Sequence, residues 1–76
     1  MRELLEYLAR SLVDNPERVK VEEFEEDDGT LVLELSVDDD DYGQVIGRGG
    51  RTAKALRQVI TSIGGRGVRV EIVDSY

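Results

Sequence analysis

The stretch that decides the fold is YGQVIGRGGRTAKALR, residues 42–57 of a 76-residue chain. It contains four glycines and four basic residues, and it contains no carboxylate. Glycine adopts backbone conformations that other residues avoid, and its missing side chain lets another molecule come close to the backbone. A segment that combines glycine with positive charge therefore indicates a surface that an anionic group can reach.

Charge is distributed unevenly along the chain. The net charge is −7, which taken alone disfavours a polyanionic partner. Residues 44–70, however, carry six basic residues and no acidic one, whereas the rest of the chain carries 4 basic and 17 acidic residues. This segregation indicates a basic surface around the glycines of an otherwise acidic protein. Chance clustering on solvated helix and strand faces is the alternative explanation.

Length and composition favour one small domain over residues 1–76. The absence of Cys excludes disulfides and thiolate metal sites, and the additional absence of His removes common catalytic nucleophiles and bases. No apolar run approaches the roughly 20 residues that a membrane span needs, and the amphipathic N-terminus does not resemble a signal or transit peptide. We expect a cytoplasmic protein that enters no membrane, needs no cofactor and catalyses no reaction.

The first segment predicts an amphipathic helix over residues 2–13. Its leucines recur at spacings of three and four residues, which is typical of one apolar helical stripe. Pro16 ends this helix, because the residue before a proline is pushed out of the helical conformation. The leucines of the stripe are Leu4, Leu5, Leu8 and Leu12.

A β-hairpin is predicted next. Alternating valines and charges indicate a strand over residues 18–26, and Phe24 breaks the alternation in a way that allows a bulge. An Asp-Gly turn at residues 27–30 leads into a second strand over residues 31–37, which has four apolar residues on one face.

Two helices and a last strand follow. Aspartates open a short helix over residues 38–46 and favour its start by capping and by charge. They could alternatively hold a divalent cation, but adjacent side chains should diverge. A longer helix over residues 52–63, a glycine-rich loop at 64–67 and an alternating strand over 68–73 complete the chain. The predicted buried stripe of the longer helix is Ala53, Leu56, Val59, Ile60 and Ile63.

These elements predict an α+β fold with the order αββααβ. A strand, a helical crossover and a further strand of this length favour a parallel pair, whereas the hairpin is antiparallel. We therefore expect a three-stranded mixed sheet with the helices packed on one face.

Three phosphate-binding motifs compete for the glycine-rich stretch. The P-loop pattern needs glycine where Val45 stands and lysine where Arg51 stands, and it should follow a strand rather than a helix. The dinucleotide pattern G-x-G-x-x-G needs glycine where Thr52 stands, and the chain is too short for a doubly wound sheet. The pattern G-x-x-G between two helices fits residues 47–50.

A G-x-x-G turn at this place could hold a sugar-phosphate strand. Its outer glycines let the strand lie against the backbone, and the helix that follows offers free N–H groups and a partial positive charge. Arg48, Arg51 and Lys54 add full charges, and arginine suits bidentate phosphate contacts. Nearby aliphatic residues supply either a floor for bases or part of the core; these are Val45, Ile46, Ala53 and Leu56.

With these features the chain resembles the KH domain, a module that binds single-stranded nucleic acid through a G-x-x-G loop. The segments LVDNPERVKVEE, LVLELSV, GQVIGRGGRTAKALR and VRVEIV are similar to the small bacterial single-KH RNA-binding proteins of the KhpA type. The resemblance covers almost the whole chain. It implies a type II KH domain that binds single-stranded RNA weakly, with low sequence specificity, and that is not an enzyme.

The resemblance also implies a set of RNA-binding residues. The loop itself, the end of the helix before it and the start of the helix after it match the family's motif, whereas Gln44 stands where the family often has lysine. Residues 64–67 match the variable loop at the far wall of the groove. The predicted RNA-binding residues are Gly43, Gln44, Val45, Ile46, Gly47, Arg48, Gly49, Gly50, Arg51, Thr52, Lys54, Arg57 and Arg66.

Partners follow from the resemblance as well. A second KH-containing protein of the KhpB or Jag type recurs with such proteins, and they are linked to cell shape and to post-transcriptional regulation. A homodimer is also expected. The alternative is a protein-interaction module in which the KH surface mediates homo- or heterodimerisation and RNA contact is secondary; the acidic remainder of the chain would suit a basic partner.

Overall fold

The computed structural model describes residues 1–65 and 67–75. Within them the order of the main elements is helix, strand, strand, helix, helix, strand, which confirms the predicted α+β class and the αββααβ order. Short 3₁₀ turns at Pro16–Arg18 and Arg48–Gly50 connect neighbouring elements. The main elements are α1 (Arg2–Leu12), β1 (Lys20–Glu25), β2 (Leu31–Asp38), α2 (Asp39–Ile46), α3 (Arg51–Gly64) and β3 (Val68–Ser75).

The sheet is mixed, as predicted. Its strand order within the described residues is β1-β2-β3, with β1 antiparallel to β2 and β2 parallel to β3. From Leu33 onward the central strand β2 alternates buried apolar residues with half-buried ones, and Val32, on the other face, is buried as well. Among the described helices, none is both long enough and apolar enough to cross a membrane.

The predicted bulge at Phe24 is wrong. Pairing between β1 and β2 runs without interruption from Lys20 opposite Ser36 to Glu25 opposite Leu31. Phe24 therefore keeps the strand's alternation and lies on the sheet face away from the main core, where it is 46% exposed. Directly opposite it lies Val32, which is fully buried. An apolar cross-strand neighbour, rather than an extra residue, thus accounts for an aromatic at this position.

All three helices contribute to one core on the other face of the sheet. Leu5 and Ala9 of α1 are fully buried, and Leu4, Leu8 and Leu12 pack against them half-buried. The core side chains of the strands lie on the inner face that the alternation predicts. The buried apolar residues of this core are Leu5, Ala9, Val19, Val21, Leu33, Leu35, Val37, Val45, Ala53, Leu56, Ile60, Val70 and Ile72.

The buried stripe of α3 is narrower than predicted. Ala53, Leu56 and Ile60 are buried, but Val59 and Ile63 are exposed, Ile63 to 62%. Val59 lines the edge of an open groove between α1 and α3 instead of facing the sheet. The apolar pattern of α3 is thus wider than the surface that the sheet and α1 cover, and a flank of the helix stays uncovered.

A buried carboxylate ties the start of α2 to the end of α1. Asp41 is 1% exposed and accepts hydrogen bonds from the backbone N–H groups of Asp14 (3.2 Å) and Asn15 (3.1 Å), and from the Asn15 side-chain amide (3.1 Å). Burial raises the pKa of Asp41, but the hydrogen bonds from Asn15 and Asp14 outweigh it and lower the pKa overall. The predicted capping role falls to Asp38, which accepts from the Asp40 N–H at 2.9 Å.

Replacing Asp41 by Asn should destabilise the fold most strongly at neutral pH, because an amide cannot accept all three hydrogen bonds as a carboxylate does. The pKa of Asp41 is lower in the folded chain than the value of 3.8 that it has without these contacts. Its contribution is therefore complete above that value and is lost as pH falls through the lower folded pKa. Urea unfolding at neutral pH and at about pH 2 measures the difference.

Asp27→Asn, an exposed change at the hairpin turn, is the matched control and should leave stability nearly unchanged at both pH values. A destabilisation by Asp41→Asn that is equally large at both pH values would contradict the role assigned to the Asp41 carboxylate.

Candidate nucleic-acid interface

The chain reverses between α2 and α3 through a turn made of residues 47–50, here called the GxxG turn. Three of its residues have positive φ: Gly47 (φ 79°, ψ 170°), Gly49 (φ 63°, ψ 18°) and Gly50 (φ 79°, ψ 13°). The Gly47 N–H donates to the Gly43 carbonyl at 2.9 Å and ends α2, and the Gly50 N–H donates to the Gly47 carbonyl at 3.1 Å. Glycine at these positions follows from the backbone conformation, which other residues adopt only with strain.

Glycine is also needed at position 47 because the backbone there passes very close to Thr52. A Cβ atom at this position would lie 2.9 Å from the backbone nitrogen of Thr52 and would overlap the Thr52 hydroxyl. At Gly49 and Gly50 a Cβ atom would meet nothing within 4 Å. Thr52 is therefore placed as a support beneath the turn, whereas the backbone at Gly49 and Gly50 is open to an approaching molecule.

Unpaired cations gather around the GxxG turn. Arg48, Arg51 and Lys54 are exposed, and none of them forms an ion pair with a described residue. Elsewhere, basic side chains mostly lie within 4 Å of a carboxylate: Arg10 of Glu6, Arg18 of Asp38, Lys20 of Glu22, and Arg69 of Glu26 and Glu71. The positive charge at the turn is thus left for an anion from outside.

The start of α3 also carries positive charge that no acidic side chain of the described residues neutralises. Gly50 is the N-cap residue, no side chain in the described part of the chain caps the helix, and its first turn contains no acidic residue. The first N–H groups of a helix have no partner within the helix, and the helix dipole adds a partial positive charge there. For a helix of 14 residues this end is suited to binding an anion.

Most of the aliphatic residues that were predicted to contact bases beside the turn belong to the core. Val45 has no exposed surface, and Ala53 and Leu56 are buried as well. Of the four aliphatic residues predicted to lie beside the turn, Ile46 alone keeps partly exposed surface. Val45 therefore supports the GxxG turn from within the core, and it has no exposed surface for a direct contact with a ligand. Gly43 and Gln44 are exposed on α2.

The basic residues further along the chain serve other contacts. The Arg57 Nε donates to the Val70 carbonyl at 3.2 Å and ties α3 to β3. Arg69 lies on the face of the sheet away from the main core, where its guanidinium is 2.9 Å from Glu26 and 3.3 Å from Glu71. Arg66, which is also a predicted RNA-binding residue, lies outside the described residues. Among the described residues of 44–70, the exposed cations with neither a hydrogen bond nor an ion pair to another described residue are therefore Arg48, Arg51 and Lys54, at the GxxG turn and the start of α3.

The acidic run at the start of α2 has a different side-chain arrangement from the one predicted. Carboxylate oxygens of Asp38, Asp39 and Asp40 lie within 4.8 Å of one another, so the expectation that these side chains diverge is wrong. A hydrogen bond that protonated Asp39 donates to the Asp38 carboxylate, and the nearby charge of Asp40, raise the pKa of Asp39. The Asp40 N–H donates to the Asp38 carboxylate and so turns the Asp38 side chain towards Asp40, which accounts for the short distances between the carboxylates.

Gly47→Ala should destabilise the chain more than Gly49→Ala. Both changes force alanine into a positive φ, which costs roughly 1–2 kcal/mol in the left-handed region that Gly49 occupies. Gly47 has a conformation that is essentially limited to glycine, and its new methyl group would also overlap Thr52, so we expect a loss of roughly 3 kcal/mol or more. Urea unfolding measures both changes, and equal losses would contradict the close approach of Gly47 to Thr52.

Comparison with known proteins identifies the family. Residues 2–72 match the family model described as "KhpA/KhpB, KH domain". The chain is 54% identical to the RNA-binding protein KhpA of Streptomyces coelicolor over 74 residues, which is 97% of this chain and 92% of that protein. It is 52% identical to the RNA-binding protein KhpA of Mycobacterium tuberculosis over 71 residues, covering 93% and 88% of the two chains, and 43% identical to that of Aquifex aeolicus over 77 residues, covering 97% and 96%.

Solved structures give the same fold. Era, in complex with MgGDPNP and nucleotides 1506–1542 of 16S ribosomal RNA, matches 96% of this chain with a TM-score of 0.57 and 28% identity. The chain spans 29% of the length of Era. The family is not enzymatic, which confirms the prediction that the chain catalyses no reaction. The αββααβ order, the GxxG turn and a match over almost the whole length lead to one conclusion: the chain belongs to the KhpA/KhpB family of KH domains.

Proposed function

We propose that the chain binds single-stranded RNA at the GxxG turn and the start of α3. The observation that carries this proposal is the coincidence, at one place, of an open backbone, an uncapped helix start and three unpaired cations. In an otherwise acidic protein, this is where a phosphodiester strand meets attraction rather than repulsion.

The chemistry of the proposed contact follows from the residues present. A phosphate at the turn accepts hydrogen bonds from N–H groups of the first turn of α3 beyond Arg51, because no side chain within the described residues competes for them; the Arg51 N–H itself donates to the Arg48 carbonyl. Arg48 and Arg51 offer planar, bidentate donors, and Lys54 adds a point charge one turn into α3. The glycines keep side chains out of the strand's path. None of these contacts reads a base edge, so sequence specificity should be low.

Similar proteins support the proposal. The relatives in Streptomyces, Mycobacterium and Aquifex are named RNA-binding proteins, and Era, which has a similar fold, is solved with ribosomal RNA. A KH loop clamps about four nucleotides, so a single domain over residues 1–76 should bind weakly and lose affinity as salt increases. In our proposal the chain acts in the cytoplasm as a post-transcriptional regulator or RNA chaperone, together with a second KH protein of the KhpB or Jag type and with a role in cell shape.

The double change Arg48→Asp with Gly49→Asp tests the proposed RNA contact. It keeps Gly47 and Gly50, and aspartate tolerates the left-handed conformation of Gly49 better than most residues. Losing one charge-assisted contact and adding two carboxylates should weaken RNA binding at least about tenfold. Fluorescence anisotropy with a short single-stranded RNA at fixed salt measures the effect.

The matched control is Arg2→Asp with Gly29→Asp. It makes the same two exchanges and the same change in net charge, and Gly29 also has positive φ and open space around it. Neither position belongs to the predicted RNA-binding set, so this variant should bind RNA nearly as the unchanged chain does. Equal affinity of the two folded double variants would mean that the GxxG turn is not the RNA site.

A second function, docking to another KH domain, is favoured by one observation. A groove of 270 Å³ opens between α1 and α3 on the flank that the core leaves uncovered. The exposed apolar side chains of Tyr7 on α1 and of Val59 and Ile63 on α3 belong to the same two helices. We propose this surface for a homodimer or for the second KH protein. The groove is lined by Leu8, Ser11, Leu12, Thr52, Ala55, Leu56 and Val59.

Ile63→Asp should abolish docking at this surface, because it places a charge on an apolar contact that is exposed in the single chain and therefore costs the free chain little stability. Sedimentation velocity measures self-association, and the same method with added KhpB-type protein measures heterodimerisation. Gln58→Asp is the control: it adds the same charge at an exposed position of α3 that belongs neither to the groove lining nor to the exposed apolar side chains of this surface. Association that survives Ile63→Asp unchanged would exclude this surface.

A further inference from the structure

A base of an RNA strand held at the GxxG turn would contact the surface beside that turn, on α2. Val45, Ala53 and Leu56 are buried in the core and offer almost no surface. On α2, the apolar side chains with partly exposed surface are Tyr42 and Ile46. We propose that Tyr42 stacks on a base of the bound strand, an inference that rests on the proposed RNA function and extends it to one further binding residue.

Helix geometry places Tyr42 and Ile46 in one row. They are four residues apart and therefore neighbours on the same side of α2. Asp41 and Val45 form a parallel row that faces the end of α1 and the core. The Tyr42 row lies at the margin of the core, where both side chains are partly buried, and it leads directly into Gly47.

The distance from Tyr42 to the turn suits a base of the bound strand. Tyr42 lies five positions before Gly47, which is about 7.5 Å along the axis of α2. Stacked nucleotides are spaced by about 3.4 Å along a strand, so a base about two nucleotides from a phosphate held at the GxxG turn reaches this depth. Ile46 lies between the two points and continues the apolar surface.

The chemistry of Tyr42 fits stacking. Its ring packs against the core on one side, which fixes its orientation, and keeps partly exposed surface on the other. Its hydroxyl forms no hydrogen bond with any described residue, so it is free for a base or a ribose. Aromatic rings are the usual stacking platforms for unpaired bases, and they act with little regard to sequence.

The other aromatic residues of the described chain lie elsewhere. Phe24 is on the open face of the sheet, opposite the face that the helices cover, and Tyr7 is on α1, in the proposed docking surface. Tyr42 is therefore the aromatic residue of the described part that directly precedes the GxxG turn on α2. Phe24, which is 46% exposed and belongs to neither proposed surface, provides a matched control for changes at Tyr42.

The test compares Tyr42→Leu, Tyr42→Phe and Phe24→Leu in binding to a short fluorescent oligoadenylate. Tyr42→Leu should raise the dissociation constant about fivefold to a hundredfold, because stacking is lost, whereas Tyr42→Phe and Phe24→Leu should stay within about twofold of the unchanged chain. If Tyr42→Leu binds as the unchanged chain does while Arg48→Asp with Gly49→Asp loses binding, the stacking role of Tyr42 is overturned and the RNA site stands. If both bind unchanged, the RNA site itself fails and the stacking role with it.

A second measurement does not depend on the folding of Tyr42→Leu. The chain contains no tryptophan, so Tyr42→Trp introduces a single tryptophan at the proposed contact, and its emission can be excited separately from that of the tyrosines. Its fluorescence should be quenched as oligoadenylate binds, and that of Phe24→Trp should not. Binding without any change in the fluorescence of Tyr42→Trp would overturn the proposal.

Discussion

The reversal of the chain within residues 47–50 is the constraint on which the rest of the site depends. Joining α2 to α3 in so few residues requires positive φ at Gly47, Gly49 and Gly50, and it brings Gly47 directly onto Thr52. Because these positions exclude side chains, the backbone is exposed where α3 begins. The same constraint thus produces both a stable connection between two helices and an open helix start that attracts anions.

Electrostatics divides the small protein into two parts. Ion pairs neutralise Arg69 and Arg18 on the acidic body, whereas Arg48, Arg51 and Lys54, beside the GxxG turn, form no ion pair with a described residue. With a net charge of −7, the chain repels polyanions over most of its surface, which limits nonspecific contact. The attraction of these cations is short in range under physiological salt, and for this reason our proposal confines RNA contact to the turn and the start of α3. The acidic body is therefore compatible with binding a polyanion at one place.

Much of this structure could be predicted from the sequence, because local rules decide it. Periodicity, the Asp-Gly hairpin and the pattern G-x-x-G are local features, and they predicted the order of elements, the mixed sheet and the position of the turn. Contacts between distant residues could not be predicted in this way. Periodicity assigned Val59 and Ile63 to the core because it cannot tell how far α1 and the sheet extend over α3. Nor could it reveal that Asp41 binds Asn15, 26 residues away.

We propose above all that RNA lies on the GxxG turn and the start of α3. The most direct test is ultraviolet crosslinking of the chain to single-stranded RNA. Mass spectrometry then maps the crosslinked peptides. The account predicts crosslinks concentrated between Tyr42 and Lys54, on α2, the turn and the first turn of α3. Crosslinks concentrated on α1 or on the open face of the sheet around Phe24, with none in the segment from Tyr42 to Lys54, would contradict it.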